Sequence, residues 1–167
     1  MSFSLLPRLI TDELTDLTPD FLHARGIKLL MLDFDNTIVP YTTDEPTEKM
    51  AAWLRKMQQT DIQLCVVSNS RNSRVQVFCR RFDLPCITHA HKPGSRGIRE
   101  CLTKYHTPAA QAALVGDQIY TDTLGANLAD VTSILVRAIH NHNIWLKLRH
   151  AAEMPFIFFA EKRRISR

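Results

Sequence analysis

Two aspartates, Asp33 and Asp35, follow directly after an apolar run and are the residues of this sequence best suited to chemistry. The run at 29–32 is continuous rather than alternating, which is typical of a strand buried on both faces in a parallel sheet. Side chains alternate along a strand, so both carboxylates begin on one side while Phe34 points away. Two like charges this close are unfavourable unless a cation or a proton lies between them. Because open α/β folds bind ligands at the carboxyl ends of their strands, the pair predicts an acidic site there.

Polar residues follow three further apolar runs. Ser68 and Asn69 follow the second run, Lys92 the third, and Asp117 with Asp122 the fourth. Each alone has an ordinary structural interpretation, since strand-end aspartates cap helices and Ser-Asn pairs form turns. Together they supply a carboxylate nucleophile, a hydroxyl donor, a fixed cation and a further metal-binding carboxylate. That set is what phosphoryl transfer requires.

Histidine and cysteine add little to this set. His89 and His91 have a spacing that can bind metal, but an oxygen-rich site prefers magnesium, so we interpret them as structural or peripheral. The four cysteines form no Cys-x-x-Cys pair, which argues against a zinc knuckle or a redox dithiol. A reduced, cytosolic compartment is the simplest interpretation.

Strand-like and helix-like segments alternate along the chain. The apolar runs predict strands over 28–33, 62–67, 86–88, 112–115 and 131–136. Helical spacing and capping residues predict helices over 18–25, 46–60, 72–82, 94–105 and 120–129. This alternation predicts an α/β fold with a central parallel sheet in three Rossmann-like layers. We expect one domain over 1–167, with its catalytic core at about 28–136.

Net charge is distributed unevenly. The formal net charge is +4, of which the residues from Arg137 onward contribute +5 and the first 136 residues −1. A basic segment at about 140–167 favours an anionic partner, nucleic acid or phospholipid, although a solvated tail explains it equally well. No stretch has the composition of a signal peptide or reaches the roughly 20 apolar residues that span a bilayer.

The four polar motifs resemble those of the haloacid dehalogenase (HAD) superfamily. Asp33-Phe34-Asp35-Asn36-Thr37 matches the D-x-D-x-T signature, Ser68 and Lys92 match the hydroxyl and lysine motifs, and 116–122 matches G-D-x-x-x-x-D. The sequences around these motifs are similar to the YqeG branch of subfamily IIIA. That branch is similar to mitochondrial and plastid phosphatases that act on phosphatidylglycerophosphate.

The resemblance implies a reaction in two steps. Asp33 would attack phosphorus to form an aspartyl-phosphate, and Asp35 would protonate the leaving oxygen and then accept a proton from the hydrolytic water. The resemblance also implies Mg²⁺, bound by Asp33, the main-chain carbonyl of Asp35 and Asp117. Ser68 and Lys92 would hold the transferring oxygens.

Supporting roles follow from the same resemblance. Asp122 would orient Lys92 or a metal-bound water, and Asn69 and Thr37 would contact the substrate. An acid at the position of Asp35 is typical of the hydrolases of this superfamily. It favours hydrolysis over a non-catalytic binding role.

The motif spacing leaves no room for a cap domain. Thirty residues separate Thr37 from Ser68, and 23 separate Ser68 from Lys92; in each interval a predicted helix and strand account for them. A fold of fewer than about 40 residues is seldom stable alone. We therefore expect an open site, suited to a phosphate carried on a membrane, a protein or a nucleic acid. Closure of the site by oligomerisation stays an alternative, because the sequence does not give the oligomeric state.

Both ends of the chain contain apolar side chains that could contact a membrane. Ile144, Trp145 and Leu148 share a helical face near basic residues, and aromatic residues at 156–159 precede another basic cluster. Residues Phe3, Leu5, Leu6, Leu9 and Ile10 form a second candidate patch. Packing of these side chains against the sheet is the alternative.

The combined prediction is a cytoplasmic, magnesium-dependent phosphomonoester hydrolase that acts on phosphatidylglycerophosphate in anionic phospholipid synthesis, with peripheral contact at the inner face of the membrane. Three alternatives remain. They are a nucleic-acid or nucleotide phosphatase, a sugar phosphatase, and a non-catalytic partner in GTPase function or ribosome assembly. No aromatic residues alternate with arginines along a strand, which argues against nucleic acid.

Overall fold

Short apolar segments pair side by side into a parallel sheet, and the connecting segments form helices. The computed structural model describes residues 3–71, 73–139, 155–156, 158 and 163–165. The strands are β1 (Leu9–Thr11), β2 (Leu29–Leu32), β3 (Gln63–Val67), β4 (Cys86–Ile87), β5 (Ala112–Gly116) and β6 (Thr132–Val136). The α-helices are α1 (Pro19–His23), α2 (Glu48–Gln58), α3 (Ser73–Arg81), α4 (Arg96–Lys104) and α5 (Leu124–Leu128). Single 3-10 turns cover Leu14–Asp16 and Ala109–Gln111, and a π-helical turn covers Ile119–Thr123.

The strand order places β2 in the middle of the sheet. The order is β1-β6-β5-β2-β3-β4, and every pair is parallel. Leu32, the last residue of β2, lies opposite Val66 of β3 and Val115 of β5. The chain therefore continues from β2 to one side and later returns to the other. Ligand sites form at such a switch point in open α/β sheets.

Alternate side chains of the central strands face two separate cores. Leu30 and Leu32 pack with residues of α2 and α3, whereas Leu29 and Met31 pack with residues of α4 and α5. Both faces of the sheet are covered, which is why β2 is apolar throughout. These two cores and the sheet make the three layers, and the predicted α/β fold is confirmed.

The strand β1 was missed in the sequence, and it moves the start of the sheet ahead of residue 28. Leu9–Thr11 pairs with β6 at the sheet edge. Ile10 is buried there, and Leu5 and Leu6 pack against Ile119 and Leu135. Packing against the core therefore covers part of this N-terminal patch, and membrane contact through the rest of it stays a prediction. Of that set, Phe3 is highly exposed.

The connections between the motifs contain short elements. Residues 38–67 form α2 and β3, and the described residues of 69–91 form α3 and β4. No inserted cap occurs among the described residues of either interval. Within the part of the chain that the structure describes, none of the helices is long and apolar enough to cross a bilayer.

The C-terminal segment is described at a few residues. Phe156 packs with the Ile10, Ile119 and Leu135 cluster, whereas Phe158 is exposed. Ile165 donates its main-chain N–H to Ile10 O at 2.7 Å, which extends the sheet edge beyond β1. Ile144, Trp145 and Leu148 lie outside the described residues, so membrane contact through them stays a prediction.

Candidate active site

The carboxyl ends of three neighbouring strands and one loop meet at the centre of the sheet. Asp33 follows β2, Ser68 follows β3 and Asp117 follows β5, while Lys92 lies in the loop after β4. Parallel pairing brings these ends to one edge because every strand runs in the same direction. The main-chain N–H of Asp33 donates to Val115 O at 2.9 Å, which continues the β2–β5 ladder into the site.

Lys92 lies between two carboxylates in the interior. Its Nζ is 2.7 Å from Asp33 Oδ1 and 2.7 Å from Asp122 Oδ1, and it donates to Val67 O at 2.7 Å. The Lys92 side chain is 1% exposed. The ammonium donates hydrogen bonds to Asp33 Oδ1 and Val67 O and forms an ion pair with Asp122. The lysine is therefore fixed in position and charged.

Asn69 holds the main chain at Lys92. Its Oδ1 accepts from Lys92 N at 2.7 Å, and its Nδ2 donates to Lys92 O at 2.8 Å. The sequence suggested a substrate contact for Asn69. Its amide clamps the loop that carries the lysine, which is a positioning role, and the substrate contact stays a prediction.

Three buried carboxylates form a cluster that suits a divalent cation. One oxygen each of Asp33, Asp117 and Asp122 lies within 4.8 Å of the other two. The cluster has three carboxylates, whereas Lys92 supplies one positive charge and contacts two of them. An excess of buried negative charge is unfavourable without a counter-ion. Hard carboxylate oxygens are the donors that Mg²⁺ prefers. The residues present therefore fit a magnesium ion. Together with Lys92 they are called the catalytic cluster below.

The pKa values of the cluster reflect this burial. The pKa of Asp33 is raised to about 7, chiefly by burial; Lys92 opposes the increase and Asp122 contributes to it. Burial alone would lower the pKa of Lys92, but Asp122 and Asp33 hold it above its ordinary value. The two carboxylates therefore favour the charged form of Lys92. The raised pKa of Asp33 shows that its negative charge is unfavourable here unless a proton or a cation compensates it.

A π-helical turn brings Asp122 back to the strand end. The sequence predicted one helix over 120–129, but Ile119–Thr123 is π-helical and α5 begins only at Leu124. Gln118 N donates to Asp122 Oδ2 at 3.1 Å. A Cβ on Gly116 would lie 2.3 Å from the Asp122 carboxyl, so only glycine fits there. This close approach explains the glycine in the G-D-x-x-x-x-D motif.

Arg74 is a site residue that sequence analysis missed. Its guanidinium contacts the Asp35 carboxylate, donates to Tyr41 O at 2.6 Å and lies 5.0 Å from the Phe34 ring centroid. Burial raises the pKa of Asp35, while Arg74 and then Lys92 oppose the increase. Arg74 lies in the first turn of α3, at the edge of the site. Arg71 is an arginine in the same segment of the chain. The sequence alone therefore does not show which of these two arginines contacts Asp35.

The remaining predicted residues border the catalytic cluster. Ser68 is buried at the end of β3, and its Oγ accepts from Ser70 N at 3.1 Å. Thr37 is buried in the loop after β2 and faces a cavity beside the site. The Asp35 side chain contacts Arg74 and does not belong to the cluster of three buried aspartates. The predicted metal contact through the Asp35 main chain stays a prediction.

The two histidines lie at the surface of the lysine loop. His89 and His91 are both exposed and both have positive φ, at 54° and 56°. Neither belongs to a group of three metal-binding side chains among the described residues. This placement agrees with their interpretation as peripheral.

The fold is similar to the folds of solved HAD-type hydrolases. A putative HAD family hydrolase from Streptomyces avermitilis has a similar fold, with a TM-score of 0.53 and 14% identity over 68% of this chain and 72% of that chain. The 3-deoxy-D-manno-octulosonate 8-phosphate phosphatase from Moraxella catarrhalis, in complex with magnesium ion, phosphate ion and KDO, has a TM-score of 0.50 and 14% identity. That likeness covers 87% of this chain and 99% of that chain.

Residues 2–139 match the family model described as mitochondrial PGP phosphatase, and the chain belongs to this family. It is also 29% identical, over 131 residues, to the "Probable phosphatase YqeG" of Bacillus subtilis (strain 168), covering 78% of this chain and 76% of the relative. The resemblance inferred from the motifs is confirmed. The chain is therefore a phosphatase of the HAD type.

Proposed function

We propose that the protein is a magnesium-dependent phosphomonoesterase that hydrolyses phosphatidylglycerophosphate through an aspartyl-phosphate. The observation that carries the proposal is the catalytic cluster, in which Asp33 is held by Lys92 at the carboxyl end of β2. A fixed ammonium beside a buried carboxylate suits stabilisation of a transferring phosphoryl group.

Asp33 is the proposed nucleophile. Its carboxylate oxygen attacks phosphorus, a new P–O bond forms, and the bond to the leaving oxygen breaks. Lys92 and Ser68 stabilise the charge on the non-bridging oxygens. Water then attacks the aspartyl-phosphate, and inorganic phosphate leaves with Asp33 regenerated.

Asp35 is the proposed acid and base. It gives its proton to the leaving oxygen in the first step and accepts one from water in the second. Arg74 keeps the Asp35 carboxyl at the edge of the site and acts as a positioning residue. Because Arg74 also donates to Tyr41 O, it connects the acid to the loop beyond the motif.

Mg²⁺ would be held by Asp33, Asp117 and the main-chain carbonyl of Asp35, with Asp122 close enough to contribute its carboxylate. When bound, it neutralises the repulsion between these carboxylates and a phosphate dianion. The magnesium and phosphate in the Moraxella catarrhalis structure support this assignment. Divalent cation alone should raise the Tm of the wild type, and Asp117→Asn should abolish that shift.

The lipid substrate is supported by the family match and by the open site. Residues 2–139 match a PGP phosphatase family, and neither motif interval contains a cap among the described residues. A phosphate carried on a large molecule such as a lipid can reach a site that no cap covers. The basic composition after Arg137 supports peripheral contact with anionic lipid.

Activity of the Asp33→Asn variant tests the mechanism. We expect magnesium-dependent hydrolysis of an aryl phosphate by the wild type and a loss of at least about 10³-fold in kcat for the variant. Asp83→Asn makes the same charge change at an exposed position and should leave kcat unchanged. Activity that survives in Asp33→Asn would remove this residue from the mechanism.

A substrate panel tests the lipid assignment. Phosphatidylglycerophosphate should exceed sugar phosphates, nucleotides and DNA-end phosphates in kcat/KM. A ranking led by a nucleotide or a sugar phosphate would overturn the substrate while leaving the chemistry intact.

A further inference from the structure

A cavity of about 770 Å³ lies beside the loop that follows β2. Its walls come from that loop, the 3-10 turn after β1, the beginning of α2 and the chain after β6. The larger apolar side chains that line it include Leu14, Ile38, Pro40, Met50, Val136 and Ile139. Its volume is within the range of about 300–1,000 Å³ that is typical of small-molecule sites.

The cavity and the catalytic loop share the same stretch of backbone. Thr37 lines the cavity and lies four residues after Asp33. Across the cavity wall, Ile139 N donates to Asn36 O at 3.0 Å, which fixes the chain after β6 to the loop. A molecule that fills the cavity would therefore contact the loop that begins at the proposed nucleophile.

The charged side chains around the cavity are paired with one another. We call these contacts the rim pairs: Asp12–Arg137 at 3.2 Å, Glu13–Lys49, and Glu45–Arg81 at 2.5 Å. Each cation on the wall already contacts a carboxylate, so the cavity is poorly suited to an additional anion. Its apolar interior favours an uncharged occupant.

Polar residues also line the cavity, and Thr37 is distinguished among them by its buried hydroxyl. The Thr37 side chain is 1% exposed, and its Oγ1 has no hydrogen-bond partner among the described residues. A buried hydroxyl without a partner is unfavourable, and a carbonyl oxygen of a ligand would accept its proton. An apolar chain that begins at an ester satisfies both features of the cavity.

We infer that this cavity binds an acyl-ester arm of the glycerophospholipid substrate while its phosphomonoester lies at Asp33. The inference rests on the proposed function and adds the part of the substrate that is recognised. The ester carbonyl accepts from Thr37 Oγ1, and the hydrocarbon packs against the apolar wall.

Two water-soluble substrates with the same phosphomonoester test this assignment. Dihexanoyl phosphatidylglycerophosphate, kept below its micellar concentration, has acyl arms, whereas its deacylated form, glycerophosphoglycerophosphate, has none. We expect the wild type to favour the acylated form in kcat/KM by on the order of 10²-fold. Neither substrate presents a membrane surface, so interfacial binding does not contribute to the ratio.

Filling the cavity should reduce this ratio. Ala138 is half-buried on the wall, and Ala138→Phe should lower the ratio by at least about tenfold. Ala52→Phe makes the same change at an exposed position of α2 outside the cavity, and its ratio should equal that of the wild type. Ile139→Asp, at an exposed position of the wall, places a carboxylate against the hydrocarbon and tests the same point should Ala138→Phe not fold.

The outcomes distinguish failure of the cavity assignment from failure of the proposed substrate. A wild-type ratio near one, or an unchanged ratio in folded Ala138→Phe and Ile139→Asp, overturns the cavity assignment while phosphatidylglycerophosphate remains the substrate. Hydrolysis of an aryl phosphate without hydrolysis of either glycerol compound overturns the proposed substrate and this inference with it.

Discussion

The catalytic cluster and the rim pairs use the same residue types in opposite environments. Lys92 lies 2.7 Å from each of two aspartates with 1% of its side chain exposed, whereas Arg137 lies 3.2 Å from Asp12 with 73% exposed. Charge–charge interactions are several times stronger away from water, and the removal of one partner there leaves an uncompensated charge. Water screens the rim pairs, so each contributes little to stability. Substitutions at the two places should therefore differ greatly in effect.

The largest effect is expected for Lys92→Met. The variant leaves Asp33 and Asp122 buried without their cation, so the free energy of unfolding should fall by about 3–5 kcal/mol in urea titrations with EDTA present. kcat should fall by at least about 10³-fold because the charge that stabilises the transferring phosphoryl group is lost. Lys56→Met, at an exposed position of α2, is the matched control. Equal stability of the two variants would contradict the comparison.

Arg74→Gln should have the next largest effect on turnover. The Asp35 carboxyl loses the partner that orients it, and misplacement of a catalytic group lowers kcat by up to about 10²-fold. Arg74→Lys should recover part of kcat because it restores the charge but not the second contact to Tyr41 O. Arg71→Gln, at an exposed neighbouring position, should match the wild type in steady-state kinetics. A KM effect without a kcat effect would point to substrate binding instead.

Gly116→Ala tests the packing that positions Asp122. The added Cβ would overlap the Asp122 carboxyl, so the chain must shift, at a cost of about 1–3 kcal/mol in chemical denaturation. kcat should fall by about tenfold or more as the Lys92–Asp122 contact is displaced. Gly26→Ala provides the comparison, because its φ of 67° is unfavourable for alanine but nothing lies within 4 Å of the added Cβ. That variant should lose stability without losing activity.

The smallest effect is expected for Lys49→Met at the rim. Both Lys49 and Glu13 are substantially exposed, with 63% and 48% of their side chains accessible. The free energy of unfolding should change by less than about 1 kcal/mol, and the difference from the wild type should shrink further in 1 M salt. A loss of unfolding free energy comparable to that of Lys92→Met would show that solvent exposure does not explain the difference between the rim pairs and the catalytic cluster.

The predicted elements follow from local patterns, and most of their positions agree with the structure. The continuous apolar runs at β2 and β5 indicate strands covered on both faces, and the predicted helix over 46–60 corresponds to α2. The three residues of β1 are too few to show a periodicity, and their pairing with β6 is more than 120 residues away in the chain. For the same reason the apolar N-terminal residues resembled a surface patch. In the structure, several of these residues pack against the core.

The sequence by itself determined which carboxylates, hydroxyl and lysine follow which strands. It could do so because apolar runs and motif spacing are local properties of the chain. Tertiary structure decided that Lys92 bridges Asp33 and Asp122, that Arg74 rather than Arg71 contacts Asp35, and that a cavity forms beside Thr37. Lys92 and Asp33 are 59 residues apart in the chain and Arg74 and Asp35 are 39 apart, and the position of Asp122 depends on a π-helical turn. The geometry of these contacts arises only when the sheet brings the segments together.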